Sequence, residues 1–202
     1  NYTASFNGTS SAAPMVAGVV ALMLEKNPNL TWRDVKHILA TTSVPIDLSM
    51  SKTISSITQY SWGTNAAGYK HHSWYGFGKI DAAAAVSAAS SYTAGSLGTF
   101  VTTGDLSTGT IEEAIDFGTQ TKTMSISSPA GSDNKIEFIR VGLKISHSKP
   151  QHLGYRLTSP DGTTVPLLTP YTAISGGRNN DLYSIGVSSL YGESIGGTWV
   201  LS

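Results

Sequence analysis

The stretch Gly8-Thr9-Ser10-Ser11-Ala12-Ala13-Pro14, backed by the apolar run from Met15 to Leu24, decides how this chain is read. A serine hydroxyl is a poor nucleophile unless it is held at an exposed, rigid point beside a base and beside oxyanion donors. A glycine turn that delivers a serine to the first turn of a buried helix meets that need. Gly8 allows close backbone approach and unusual dihedrals, and Pro14 is tolerated early in a helix, where amides have no intrahelical acceptor. Val16, Ala17, Val19, Val20, Ala21, Leu22, Met23 and Leu24 then predict a helix that is apolar nearly all round, and so buried.

The rest of the chain divides in two. Thr31 is a good N-cap with Asp34 in the capping-box position, and Trp32, Val35, Ile38 and Leu39 follow at helical spacing. A loop rich in Ser, Thr and Gly is expected from Thr41 to about Ser73. Asp81 opens an alanine-rich helix through Ala89, favoured by propensity and by an acid at the helix N-terminus. Ser90 to Ser96 reads as a linker. Beyond it the period changes to two: Ile139, Val141, Leu143 and Ile145 alternate with Arg140, Gly142, Lys144 and Ser146, and Leu153, Tyr155 and Leu157 repeat the pattern. Pro160-Asp161-Gly162 turns the chain, and short strands between such turns predict a β-sandwich or barrel.

Composition sets outer bounds. The 202 residues suit one large or two small domains. With 13 basic and 13 acidic residues, the neutral balance gives no broad attraction to nucleic acid or to an anionic membrane. There are no cysteines, which excludes disulfides and thiolate metal sites but leaves the compartment open. The longest apolar run is half of the roughly 20 residues that span a bilayer. Without an initiating Met or signal peptide, Asn1 reads as an internal cut of a longer chain.

The opening stretch resembles the nucleophile segment of the subtilisin-like serine proteases: Gly-Thr-Ser, two small residues, Pro and a small-apolar helix. Asn27-Pro28-Asn29-Leu30-Thr31-Trp32-Arg33-Asp34-Val35 resembles a helix entry of the kexin and furin branch of that family. His72-Ser73-Trp74-Tyr75-Gly76-Phe77-Gly78-Lys79-Ile80-Asp81-Ala82 resembles the segment that closes its catalytic domain. Ser159-Pro160-Asp161-Gly162-Thr163, Gly192-Glu193 and Gly197-Thr198-Trp199-Val200-Leu201 resemble the P domain that follows it.

The resemblance implies an α/β subtilisin-like catalytic domain, of which residues 1–91 are the C-terminal portion, and an all-β jelly-roll P domain over 92–202, incomplete at its C-terminus. It implies a secreted serine endopeptidase that forms an acyl-enzyme on Ser10, the Gly-Thr-Ser register favouring Ser10 over Ser11. Its Asp and His belong to an upstream segment, because only nine residues precede Ser10 and none of the five histidines sits in the family's His-Gly-Thr context. The Ser10 N–H is an implied oxyanion donor; Asn7 reads instead as a turn former. Structural calcium is implied, with ligands mainly before the serine. The implied partners are the upstream segment and a peptide or protein substrate, with no nucleic acid and no membrane, and the chain alone is expected to be inactive.

Other candidates read as structural. His71 and His72 are adjacent, with no third ligand, and predict a solvated loop pair. Asp161, Asp181 and Glu193 form no calcium-loop series. Asp34 and Asp81 read as helix-start acids, and Trp62, Trp74 and Trp199 as core residues. The sequons at Asn1, Asn7 and Asn29 read as chance. The rival to a protease is a secreted binding module, with a jelly-roll domain and a protease remnant.

Overall fold

The computed structural model describes residues 5–54, 57–102, 104, 122–126, 134–170 and 182–202. Asn1 and Asp181 therefore lie outside the described residues. The chain forms two compact units: one of residues 1–46 and 77–100, the other of residues 47–76 and 101–202.

The first unit is helical. Helix α1 spans Thr9–Lys26, α2 spans Trp32–Thr42 and α3 spans Ala82–Ser91. The expected capping box is present: Thr31 Oγ1 accepts the Asp34 N–H at 3.2 Å, and Asp34 Oδ2 accepts the Thr31 N–H at 2.8 Å. Asp81 caps α3 by accepting the Ala84 N–H at 2.9 Å. Helix α3 packs against both α1 and α2, and Met23, Leu30, Val35, Ile38, Ala85 and Ala89 form the core between them. Asn27, at the C-cap of α1, donates through Nδ2 to the carbonyls of Ala89 and Tyr92 at 3.0 and 2.9 Å. It thereby adds to the 3.4 Å bond that the Tyr92 N–H makes to Ala89 and satisfies the Tyr92 carbonyl, at a helix end whose last acceptors lack full pairing. Val44 and Lys79 exchange two backbone hydrogen bonds at 2.9 Å. Gly78 beside them has φ +127°, and a Cβ there would lie 2.4 Å from the Val44 carbonyl oxygen.

Among its described residues the second unit is built of β-strands, with one short 3-10 turn at Pro150–His152. Within the expected loop the chain makes two antiparallel hairpins, β1 (Lys52–Ile54) with β2 (Ile57–Tyr60) and β3 (Gly63–Thr64) with β4 (Lys70–His71). Further on lie β5 (Lys122–Ile126), β6 (Ile139–Lys144), β7 (Tyr155–Thr158), β8 (Thr164–Leu168), β9 (Leu182–Val187) and β10 (Gly197–Leu201). They form a four-stranded antiparallel sheet in the order β5-β10-β7-β8 and a separate antiparallel pair β6-β9. Alternation decides the faces: Leu143 on β6, Tyr155 and Leu157 on β7, and Val165 and Leu167 on β8 all turn inward. With Ile136, Val187, Leu190 and Trp199 they make one core shared by the two sheets.

Candidate active site

Gly8 is the N-cap of α1 and has φ +81°. A Cβ there would meet nothing within 4 Å, so the glycine is required by its backbone conformation and not by space. Ser10 follows as the second residue of the helix and is exposed. The N–H groups of Ser11 and Ala12 both point to the Gly8 carbonyl, at 3.1 and 3.3 Å. The Ser10 N–H falls among the first-turn amides that have no intrahelical acceptor, at the positive end of the helix dipole. That is the placement an oxyanion donor needs. Ser11 differs from its neighbour: its Oγ donates to the Gly8 carbonyl at 2.8 Å.

Two expectations for this helix need correction. It starts at Thr9, so Pro14 is its sixth residue and lies beyond the first turn. The N–H that proline lacks would have bonded the Ser10 carbonyl. The helix is also less buried than its composition predicts: Met23 is its one fully buried residue. Met15 is 68% exposed, and Val16, Leu22 and Leu24 are exposed as well. Helix α3 covers one side of α1, and an all-round apolar sequence presents more surface than that side alone.

Ser10 has no histidine or carboxylate among its described hydrogen-bond partners. His37 lies on α2, its ring 5.8 Å from that of Tyr92. His147 accepts the Lys149 N–H through Nδ1, and His152 ends a short 3-10 turn, Pro150–His152. The expectation of a solvated His71–His72 pair fails. His72 is wholly buried among Trp62, Trp74 and Tyr75. His71 is half-buried, and burial, aided by the nearby His72, lowers its pKa to about 4. Of the tryptophans expected in a core, Trp199 is buried, Trp62 half-buried and Trp74 51% exposed.

Asp34 and Asp81 are the helix-start acids anticipated, Asp34 in the capping box of α2 and Asp81 at the N-cap of α3. Burial alone would raise the Asp34 pKa. Hydrogen bonds from the Thr31 and Gly95 backbones and the Thr31 hydroxyl, with Arg33 nearby, outweigh burial and hold it below the usual value.

The second unit contains an anchor that sequence reading missed. The Asn65 side chain is buried, donates through Nδ2 to the carbonyls of Ser189 and Tyr191 at 3.0 and 2.8 Å, and accepts the Tyr69 N–H at 2.9 Å. Glu193, also buried, accepts the Ala66 N–H at 2.9 Å and short hydrogen bonds from the hydroxyls of Ser159 and Thr163. The adjacent Gly192 has φ +82°, and a Cβ there would fall 2.5 Å from the Tyr69 ring. Asp161 accepts the Ser194 N–H at 2.8 Å. These carboxylates are engaged in holding turns. Among the described residues no group of three or more His, Asp or Glu side chains comes together to hold a metal, so calcium has no fitted donor set among them.

Comparison with known proteins gives this arrangement its context. Residues 1–78 match the Subtilase family model, and residues 136–202 match the proprotein convertase P-domain model. Proprotein convertase subtilisin/kexin type 5 of Rattus norvegicus is 35% identical over 204 residues, covering 98% of this chain and 11% of that protein. Furin of Homo sapiens is 31% identical over 205 residues, covering 98% of this chain and 24% of that protein. The crystal structure of a serine protease of Aeromonas sobria superposes with a TM-score of 0.71 at 26% identity, over 97% of this chain and 37% of that one. The chain belongs to the subtilisin-like serine protease family, in its kexin/furin branch, and joins a Subtilase segment to a P domain. It spans between a tenth and a quarter of the length of these two curated relatives. No helix among the described residues is long and apolar enough to cross a membrane.

Proposed function

We propose that this chain is the C-terminal part of a secreted serine endopeptidase in which Ser10 is the nucleophile. Residues 1–91 complete its peptidase domain, and residues 92–202 form its P domain, a β jelly roll. The observation that carries this reading is the Gly8-Thr9-Ser10 elbow. A positive-φ glycine caps a helix whose second residue is an exposed serine, within the segment that matches the Subtilase family.

The roles follow from the geometry and from the family's mechanism. Ser10 Oγ attacks the scissile carbonyl of a peptide or protein substrate. A histidine from the upstream segment takes its proton and passes it to the leaving amine, and an aspartate from the same segment orients that histidine. The Ser10 N–H, free of an intrahelical acceptor, stabilises the tetrahedral oxyanion. Water then hydrolyses the acyl-enzyme. The exposed apolar side of α1, with Met15, Val16, Leu22 and Leu24, is where the upstream part of the peptidase domain packs. Structural calcium belongs to that upstream part, and the chain by itself is inactive for want of a base.

Labelling of the full-length protein with a fluorophosphonate probe tests the reading. Labelling that maps to Ser10 and is lost in Ser10→Ala supports it. Failure of active, folded full-length protein to label, or labelling on Ser11, overturns it.

A further inference from the structure

We propose that His71, set beside the buried His72, forms an acid-sensitive latch, which in its neutral form holds the β3–β4 hairpin and the turn after it against the Ser188–Glu193 segment and loosens on protonation. The two histidines sit at the junction of two tight structures. His71 pairs with Gly63 at the base of the hairpin, and His72 exchanges backbone hydrogen bonds of 2.8 Å in both directions with Gly76. His71 Nε2 lies 3.3 Å from the Ser188 hydroxyl. The hairpin is thus tied to this segment through His71, as it is tied further along through Asn65 and Glu193.

His72 organises the turn from inside. Its Nδ1 accepts the Trp74 N–H at 3.0 Å, so that nitrogen carries no proton. The neutral ring then carries its proton on Nε2, which is buried and has no hydrogen-bond partner. The ring centroids of Tyr75 and Trp62 lie 4.8 and 5.4 Å away. A proton on Nδ1 would set a donor against the Trp74 N–H.

Several titratable and charged groups among the described residues lie around the pair. Lys70 and Tyr69 belong to the hairpin itself. Tyr191 and Glu193 belong to the opposing segment, where Glu193 is engaged with Ala66, Ser159 and Thr163. From the other side come Tyr60, against Trp74, and Tyr75, whose hydroxyl donates to Asp47 at 3.0 Å. Burial acts first on His71 and the nearby His72 second, holding it at about 4 against 6.5 for a free imidazole. A histidine depressed in the closed form stabilises that form fully above about pH 6.5 and progressively less as pH falls toward 4. Acid therefore favours the open hairpin.

Hydrogen exchange on the full-length protein at pH 7.5 and pH 5, expressed as protection factors, tests the latch. Protection of the 63–76 amides should fall on the order of tenfold on acidification, as a His shifted this far below its free value implies, while that of Tyr155–Thr158 holds. His71→Gln, which keeps the size and polarity but cannot ionise, should flatten the fall. Nuclear magnetic resonance titration of the unaltered protein provides a readout that does not depend on the variant, and should place His71 well below 6. A fall equal in His71→Gln, a fall shared by Tyr155–Thr158, no fall, or a His71 titrating near 6.5 would each overturn the proposal.

Discussion

The Glu193 carboxylate accepts the Ala66 backbone N–H at 2.9 Å, across 127 positions of sequence. Ala66 lies in the part of the chain that matches the Subtilase model and Glu193 in the part that matches the P-domain model. The hydrogen bond joins the two inside one compact unit. A buried carboxylate with no cation among its described partners is tolerable only because three donors converge on it.

Replacing Glu193 should therefore be costly. Glu193→Gln turns one acceptor into a donor facing donors and should destabilise by about 1–3 kcal/mol. Glu193→Ala, which removes the acceptor of the Ser159 and Thr163 hydroxyls and leaves the Ala66 N–H only Thr163 Oγ1 at 3.0 Å, should destabilise by about 2 kcal/mol or more. Thermal unfolding of the full-length protein measures both. Midpoints unchanged from wild type would show that the tie contributes nothing.

Truncation probes the same tie at larger scale. Stopping the full-length protein after Phe100 removes Ser189, Tyr191 and Glu193, so Asn65 Nδ2 and the Ala66 N–H lose their acceptors. Its unfolding midpoint or yield should drop, while molecules that fold keep their cleavage-site preference. Stopping after Ser91 should be worse. It also removes Tyr92 and Ala94 from the helical core, the Gly95 N–H from Asp34, and the Gly98 carbonyl from Arg33. A changed site preference at unchanged stability would make this half a substrate-recognition module.

At the candidate nucleophile the two serines should separate cleanly. Ser10→Ala should lower kcat of the full-length enzyme on the order of 10⁶-fold, as expected for loss of a triad nucleophile, with the fold intact because Ser10 is exposed. Ser11→Ala removes one exposed hydrogen bond to the Gly8 carbonyl and should cost about 1 kcal/mol of stability or less. Peptide-cleavage kinetics of the two variants decide the register. Activity that survives Ser10→Ala would remove the assignment.

Asp34 should contribute to resistance against acid. Its pKa is lowered in the folded chain, so its stabilisation is present above the ordinary carboxylate range and is lost as pH falls through and below it. Asp34→Asn should destabilise at neutral pH and flatten the acid side of the stability profile. Chemical denaturation at a series of pH values would show it. A parallel downward shift at every pH would mean that Asp34 acts through packing alone.

The contrast between what was legible in the sequence and what was not has a physical pattern. The capping box at Thr31 and Asp34, the Asp81 cap, the alternation along β6 and the turn at Pro160-Asp161-Gly162 depend on residues within a few positions of one another, so the sequence displays them. The Gly8-Thr9-Ser10 elbow is local in the same way. The β3–β4 hairpin is hidden in the sequence because its anchor, Asn65, bonds carbonyls 124 and 126 positions away, and no local periodicity announces such a contact. The burial of His72 is hidden for the same reason, since two of the rings enclosing it come from a turn whose closure no local pattern displays. Helix α1 shows the converse: its composition asks for more burial than α3 supplies.

The paired hydrogen bonds of Val44 and Lys79 mark where the chain leaves the helical unit and where it comes back. Residues 47–76 are an excursion: the chain crosses between the units after 46, after 76 and again after 100. Three crossings make the units inseparable by any single cut. A protease that nicks the linker near Phe100 would leave both parts joined through the excursion. A nick within the excursion would leave them joined through the linker. The same topology limits exchange of parts between relatives. A hybrid spliced only at the linker would set one parent's Asn65 hairpin against the other's Ser188–Glu193 segment, and its fit would rest on two surfaces that had never been selected together.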